Sequence, residues 1–260
     1  MSDWFHSLPI FWMALIVFGF TYFVVALIYV VVGILAVGER ARAFKSVSPG
    51  MLPPLGIIFG LFVGFTAAQV WSDSAMASAA VDREASALRS AALLTVAFPG
   101  EPKKRVDALI RSYIAEAKVQ EWPLMANRAI TLTKAPSTLA EAMQFMLSLQ
   151  ANGSGQQIAQ REIISALQNA MDARRQRLTI SQSQVTGIKW FCLYLQAICA
   201  LIAIALVHSD NRLASILSML LFATGVATAV LLIAAHDRPF IGEISVSADP
   251  LLQVMPQPES

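Results

Sequence analysis

The sequence predicts an all-α integral membrane protein with four transmembrane helices and a helical soluble domain between the second and the third. Two observations lead to this fold class. The chain of 260 residues is 56% hydrophobic and 14% charged, with a mean hydropathy of +0.60, which is too apolar for an ordinary soluble domain. The apolar residues are also concentrated in four uncharged runs, each long enough to cross a bilayer.

The first run has no basic region before it and is too long for the core of a cleavable signal peptide, so we expect it to remain as a helix. The third run has 18 residues, close to the lower limit for a span. In chain order the runs are Leu8–Gly38, Ser46–Ser72, Trp190–Val207 and Leu213–Ala235.

The soluble domain is predicted at residues 73–189, which hold 14 Lys and Arg and 10 Asp and Glu. Good helix formers dominate it and no period-two alternation occurs, so it is predicted to be helical and continuous with the second and third spans. Turn signals predict breaks at Pro99-Gly100, Trp122-Pro123, Pro136 and 152–155. The predicted divisions are 1–72 (two spans), 73–189, 190–240 (two spans), and a Pro- and Ser-rich tail at 241–260, expected to be extended or disordered.

The second span carries a small residue at every fourth position. Small residues at this spacing let membrane helices approach closely, and that packing role is one sufficient explanation of the pattern. No Gly or Pro occurs between residues 65 and 92, so one helix is predicted to continue from the membrane into the soluble domain. The small residues, called the glycine ladder below, are Gly56, Gly60, Gly64 and Ala68.

An apolar stripe of Ile58, Phe62 and Phe65 lies beside the glycine ladder. If several copies of this helix surrounded an axis, the stripe would form a hydrophobic constriction of the kind that gates a channel by dewetting. Lipid contact or packing in a core is the other explanation of such a stripe. The sequence leaves both open.

Three arginines, Arg174, Arg175 and Arg177, cluster in the last predicted helix before the third span. They are candidates for contact with anions or with anionic lipid headgroups. A solvated helix face is the alternative explanation.

The sequence lacks the motifs of enzymes: it has no phosphate loop, dinucleotide fingerprint or nucleophile elbow. We therefore expect neither catalysis nor a cofactor. His6, His208 and His236 stand near span ends without a second ligand at metal spacing, so no metal site is predicted. The small charge surplus of the soluble domain argues against nucleic acid as a partner. The spans contain no charged residue, which argues against a voltage sensor or a proton-coupled transporter.

Lys and Arg near the span ends predict the orientation in the membrane. Seven lie on the side of the soluble domain and four on the opposite side, which favours a cytoplasmic soluble domain and cytoplasmic termini. The seven are Arg83, Arg89, Arg174, Arg175, Arg177, Lys189 and Arg238, and the four are Arg40, Arg42, Lys45 and Arg212.

Two pairs of motifs and one single segment, taken together, resemble the bestrophin-like family of bacterial membrane proteins, long known only as a domain of unknown function. They are LGIIFGLFVGFTAAQVW with VDREASALR, RSYIAEAKVQEWP with MDARRQRL, and HDRPFIGEISVSADPLL after the fourth span. The segments that carry the resemblance best are Asp237–Phe240, Glu121–Pro123 and Arg174–Arg177.

This family is distantly similar to bestrophins, which are pentameric anion channels with four spans, cytosolic termini and an apolar neck on the second span. The resemblance implies that Ile58, Phe62 and Phe65 form the neck, and it agrees with the orientation that the charges predict. The sequence departs from the bestrophin pattern in lacking a proline-rich start of the third span, where Ser181–Gln184 stand instead. It also lacks the acidic calcium clasp, so calcium gating is not expected.

Two functions are predicted. The first is a homo-oligomeric, bestrophin-like anion channel whose neck lies on the second span. The alternative is a non-conducting membrane scaffold whose helical domain binds a protein partner. The expected partners are further copies of the chain (a pentamer by the resemblance), membrane lipid and inorganic anions. The expected location is the cytoplasmic membrane of a bacterium.

Overall fold

The computed structural model describes residues 3–35, 49–129, 136–209 and 211–256. All described regular structure is helical, without strands, which confirms the predicted fold class. Four helices are long and apolar enough to cross a membrane, as predicted. They are α2 (Ile10–Leu35), α3 (Leu52–Leu94), α8 (Gly187–Val207) and α9 (Arg212–His236), and α2 is preceded by the short α1 (Asp3–His6). The basic residues Arg40, Arg42 and Lys45 lie outside the described residues.

The chain divides into two compact units. The first comprises residues 1–72, 184–237 and 242–244 and contains the apolar parts of the four long helices. Its buried side chains come from all four of them, including Met13, Phe59, Leu193 and Val230. A second cluster joins α2, α8 and α9 around Met219. Many other large apolar side chains of these helices are exposed, which is the distribution expected of helices that lie in lipid.

Helix α3 is uninterrupted from Leu52 to Leu94, so it extends well beyond the uncharged run that ends at Ser72. A turn of 3₁₀ helix at Thr95–Ala97 ends it. Gly100 then adopts a positive φ of 86°, a conformation that glycine reaches without strain. The chain can therefore reverse before the next helix begins.

The second unit comprises residues 73–183, 238–241 and 245–260. Its helices pack around one core that includes Leu88, Ile110, Leu139 and Leu167. The helices are the last part of α3, then α4 (Glu101–Glu116), α5 (Trp122–Ala126), α6 (Ser137–Ser148), α7 (Ser154–Ile180) and α10 (Asp249–Gln253).

The predicted break at Trp122-Pro123 is instead a single turn of π helix at Ala117–Glu121, which links α4 to α5. Pro123 lies in the first turn of α5, where the missing N–H of proline breaks no intrahelical hydrogen bond. The chain therefore passes this proline without leaving the helical conformation.

The predicted continuity of the soluble domain with the third span is not observed. Helix α7 ends at Ile180 and α8 begins at Gly187. The Ser181 hydroxyl donates to the Leu178 carbonyl, while the Val185 N–H donates to the Asp237 carboxylate. Polar side chains thus compete for the backbone groups at this point and end the helix.

The C-terminal tail differs from the expectation of an extended or disordered segment. Residues 249–253 form α10, and Leu251 is buried in the core of the second unit. Leu252, Val254 and Met255 pack against the same core. The apolar residues of the tail are separated by prolines and form no long helical pattern. The sequence therefore does not predict that the tail docks on the core.

Candidate functional site

Helix α3 has one buried face and one exposed face in the apolar part of the chain. Phe59, Ala67 and Val70 are buried among residues of the first unit. Because successive residues are separated by about 100° around a helix, the exposed positions from Gly56 to Trp71 cover more than half of its circumference. The described residues of one protomer therefore leave more than half of the circumference of α3 exposed between Gly56 and Trp71.

The glycine ladder lies on the exposed face. Gly56, Gly60, Gly64 and Ala68 are all exposed, and a Cβ atom built on each of the three glycines would meet no atom within 4 Å. These glycines therefore make no close helix contact with the part of the chain that the structure describes. The surface that they offer is available to a second molecule.

The predicted neck residues differ in their exposure. Ile58 and Phe65 are 53% and 73% exposed. Phe62 is half-buried and packs against the core of the first unit. Phe62 therefore lies at the edge of the exposed face and Phe65 within it.

Two further apolar residues, Ile57 and Leu61, lie on the exposed face and were not among the predicted neck residues. They are 63% and 56% exposed and precede Phe65 at four-residue spacing. The signal was present in the sequence, because Ile57, Leu61 and Phe65 form a helical stripe as regular as the predicted one. Only the burial of Phe59 and Val70 shows which stripe is turned outward.

Arg177 is the centre of a buried charged cluster in the second unit. Its side chain is fully buried, its Nε donates to Glu84 Oε2 at 2.7 Å, and its Nη2 donates to Glu121 Oε2 at 2.7 Å. The guanidinium also stacks over the Trp122 ring, 4.5 Å from its centroid. With no exposed surface, Arg177 cannot meet an anion or a headgroup, so its predicted contact role does not apply in this protomer.

The other two predicted arginines lie in different surroundings. Arg174 is mostly buried and donates through Nη2 to Glu121 Oε1 at 2.6 Å, which makes it part of the same cluster. Arg175 is 72% exposed and lies 3.5 Å from Asp172, one helical turn earlier. Only Arg175 keeps a largely solvated guanidinium.

Glu84 and Tyr113 complete the cluster, and sequence reasoning missed both. The Tyr113 hydroxyl donates to Glu84 Oε1, and burial together with that carboxylate raises the pKa of Tyr113 well above its usual value. Burial by itself would lower the pKa of Arg177, but Glu84, Tyr113 and Glu121 outweigh it, so its pKa is raised and it stays charged. A buried acid in an Ala-rich helix carries no local sequence signal of its partner.

The segment after the fourth span contributes to both units. In the first unit, Asp237 is buried with its Oδ2 3.2 Å from His6 Nε2, and its Oδ1 accepts from the Val185 N–H. In the second unit, Arg238 Nη2 donates to the Ala126 carbonyl at 2.8 Å.

Trp122 connects the same segment to the buried cluster of the second unit. Its Nε1 donates to the Val246 carbonyl at 3.2 Å, and its ring meets Phe240 edge to face. The motifs at Asp237–Phe240 and Glu121–Pro123 therefore contribute to internal packing, as do Arg174 and Arg177 of the third motif.

Within the described ranges, no group of three or more His, Cys, Asp or Glu side chains is arranged to hold a metal ion. The charged residues that come together are already matched, two arginines against two glutamates. This geometry stabilises the helical unit and offers no reacting group.

Four apolar helices, one of which continues into a helical unit built around a buried arginine, define a multi-pass helical membrane protein. A sequence model of the Bestrophin-like domain matches residues 18–251, and the chain therefore belongs to the Bestrophin-like family. This confirms the resemblance found in the sequence. Among curated proteins, none matches the chain.

Solved structures show the same fold. A point variant of a bacterial bestrophin homologue from Klebsiella pneumoniae has a TM-score of 0.68 at 12% identity, over 92% of this chain and 98% of that chain. A second variant of a homologue from Klebsiella pneumoniae has a TM-score of 0.63 at 14% identity, over 91% and 99%. A variant described only as a membrane protein has a TM-score of 0.65 at 12% identity, over 91% and 94%. At these identities the likeness concerns the fold.

Proposed function

We propose that copies of this chain assemble around an axis to form an anion-permeable pore, with α3 facing that axis. The observation that supports this most is the exposed face of α3, where Ile58 and Phe65 are 53% and 73% exposed and the three glycines of the ladder make no close contact with the described residues. Membership of the Bestrophin-like family supports it as well, since bestrophin homologues are anion channels. The order of the assembly is a pentamer by that similarity.

In this assembly the glycine ladder packs against the next subunit and the apolar stripe surrounds the axis. Ile58, Phe62 and Phe65 form the neck, and Ile57 and Leu61 extend its wall. A ring of such side chains lets ions pass only when the constriction is wide enough to stay wet. The positive balance of residues 73–189 favours anions over cations near the pore.

The membrane is the cytoplasmic membrane of a bacterium, with the soluble unit and both termini in the cytoplasm. The Lys and Arg count near the span ends supports this orientation. The burial of Arg177 and Arg238 in the folded protein does not weaken this Lys and Arg count. The positive-inside rule concerns the chain during insertion into the membrane, before it folds. Arg175, largely solvated, remains the predicted contact for anions or for lipid headgroups.

The decisive experiment measures anion flux through purified protein in liposomes under a chloride gradient. We expect flux in the wild type, and a severalfold increase in Phe65→Ala, because removing the ring widens and wets the neck. Phe23→Ala is the matched control, since Phe23 is 66% exposed on α2 and lies outside the proposed neck. Its flux should equal that of the wild type.

The register of the neck follows from a second pair of variants. If the residues toward the centre of the exposed face line the pore, Leu61→Ala raises flux more than Phe62→Ala. If the predicted stripe lines it, the order is reversed. Phe62→Ala alone is less informative, because Phe62 also packs against the core of the first unit.

The scaffold function makes the opposite prediction. Homogeneous oligomers that carry no flux under any anion gradient, in the wild type and in Phe65→Ala alike, would overturn the channel and leave a membrane scaffold that binds a protein partner.

A further inference from the structure

A cavity of about 330 Å³ lies in the first unit where the last turns of α2 and α8 meet the first turn of α9. Its polar lining comes from Tyr29 on α2, from His208 and Ser209 after α8, and from Arg212 and Ser215 on α9. All three helices are candidate spans, so this cavity lies where they reach the bilayer surface. None of its residues belongs to the proposed neck.

Several hydrogen-bond donors in this cavity have no partner among the described residues. The guanidinium of Arg212 makes no ion pair with any of them, and the Tyr29 hydroxyl makes no hydrogen bond with any of them. The Ser209 hydroxyl is buried and unpartnered within the same ranges. Arg212 is exposed and Tyr29 half-buried, whereas the Ser209 hydroxyl is enclosed without a partner among the described residues. An enclosed hydroxyl without a partner is costly, so the grouping of these donors points to a ligand that satisfies them.

The donors favour an anion with several oxygens. His208 Nδ1 donates to the Ile204 carbonyl at 3.0 Å, so Nε2 of the neutral ring is an acceptor and His208 is not counted among the donors. Arg212 also opens α9, so the positive end of that helix adds to its charge. A phosphate oxygen accepts from guanidinium N–H and hydroxyl groups, and the pairing with arginine is charge-assisted.

A second cavity lies beside the first, between α2 and α9. It has a volume of about 190 Å³, and Tyr29 lines both. Its other lining residues are almost entirely apolar: Tyr22, Val25, Ala26, Ile216, Met219 and Leu220. The Tyr22 hydroxyl and Thr224 Oγ1 lie 3.1 Å apart and pair with each other, so Tyr29 supplies the one hydroxyl of the groove lining that has no partner among the described residues.

We infer that these two cavities together bind one phospholipid. Its phosphate lies in the polar cavity against Arg212, Tyr29 and Ser209, and one acyl chain lies in the groove between α2 and α9. Basic pockets between transmembrane helices bind anionic headgroups in this manner, with electrostatic attraction added to apolar burial. A free anion would use the polar cavity alone, whereas a phospholipid accounts for both.

The first arm of the test measures the binding of phosphatidylglycerol to delipidated full-length protein in neutral detergent. The thermal shift is recorded along the titration, and retained lipid is counted by mass spectrometry. We expect Arg212→Gln to weaken binding by about tenfold, because a charge-assisted hydrogen bond is lost. Arg89→Gln is the matched control, since Arg89 is an exposed arginine of the soluble unit without a partner among described residues. It should bind like the wild type.

The second arm tests the acyl chain. Ala26→Trp fills the groove and is expected to weaken the binding of phosphatidylglycerol while leaving the polar cavity intact. Val31→Trp, at an exposed site of α2 outside both cavities, is the control and should have no effect. Both variants must first show the wild-type melting temperature without lipid.

The third arm separates the lipid from a free anion. Inorganic phosphate and glycerol phosphate, added in excess, should not displace phosphatidylglycerol. If they displace it fully, or if Ala26→Trp binds as tightly as Val31→Trp, the site takes a free anion and the phospholipid is ruled out. Equal binding by Arg212→Gln and the wild type would also overturn the inference. None of these outcomes depends on whether the protein conducts.

Discussion

Arg177 keeps a full charge where no water reaches it. Taking a guanidinium out of water costs several kcal/mol, and the cost is offset only where every donor finds a charged or polar acceptor. Glu84 and Glu121 supply those acceptors, and the Trp122 face covers the plane of the guanidinium. Because this cluster joins α3, α7 and the π turn, it ties together the helices of the second unit.

The residue-scale prediction is that Arg177→Met lowers the free energy of unfolding by about 3–5 kcal/mol, because it leaves Glu84 and Glu121 buried without a counter-charge. Thermal unfolding in detergent measures the effect. Arg175→Met is the matched control, and its effect should stay within about 0.5 kcal/mol, since Arg175 is largely solvated.

Equal melting temperatures for these two variants would contradict the buried cluster and restore an exposed role for Arg177. The sequence could not separate the two arginines, because they are two positions apart in one charged run. They differ because α7 directs the side chain of Arg177 into the core of the second unit and that of Arg175 into solvent.

At the scale of the element, α3 combines two environments in one helix of 43 residues. Its first half is rich in Gly, Phe and Ile and its second half in Ala and Ser, and beyond Pro54 it contains no proline. Because its hydrogen-bond ladder meets no breaker there, its continuity could be predicted from the sequence. The outward face could not, since Ile57 and Ile58 are equally apolar and only their packed neighbours distinguish them.

We expect Gly60→Leu to dissociate the oligomer, because the added side chain holds neighbouring helices apart where the glycine ladder lets them approach. Light scattering coupled to size exclusion measures the particle mass. Gly19→Leu is the matched control, since Gly19 is also an exposed helical glycine with nothing within 4 Å. A Gly60→Leu particle as large as that of Gly19→Leu would show that the glycine ladder is no subunit contact.

The π turn and α10 show where element-level reasoning fails. Trp122-Pro123 indicates a break because proline removes a donor, yet a widened turn before the proline preserves the helix. The short α10 exists because Leu251 is buried by distant residues of the same core. Neither the π turn nor the docking of α10 can be predicted from the local sequence of these segments.

At the scale of the whole molecule, the distribution of basic residues predicts which side of the membrane each segment occupies. We expect a fluorescent protein fused to the C-terminus to fluoresce in bacterial cells, because it folds in the cytoplasm. We expect alkaline phosphatase fused after Ser209, between α8 and α9, to be active, because it is exported. The reverse pattern would contradict the proposed orientation.

The sequence by itself determined the class of protein, because the lengths of the apolar runs, the helix formers between them and the family motifs are all local properties of the chain. It also indicated that α3 is the candidate pore helix, through its glycine ladder and its apolar stripe. Only the tertiary structure decided that Arg177 is enclosed, that the tail docks, and that donors without a partner among the described residues gather around Arg212. Those facts depend on which side chains meet across helices far apart in the sequence. Burial then determines how much free energy a charged or polar group costs and whether it can contact a ligand.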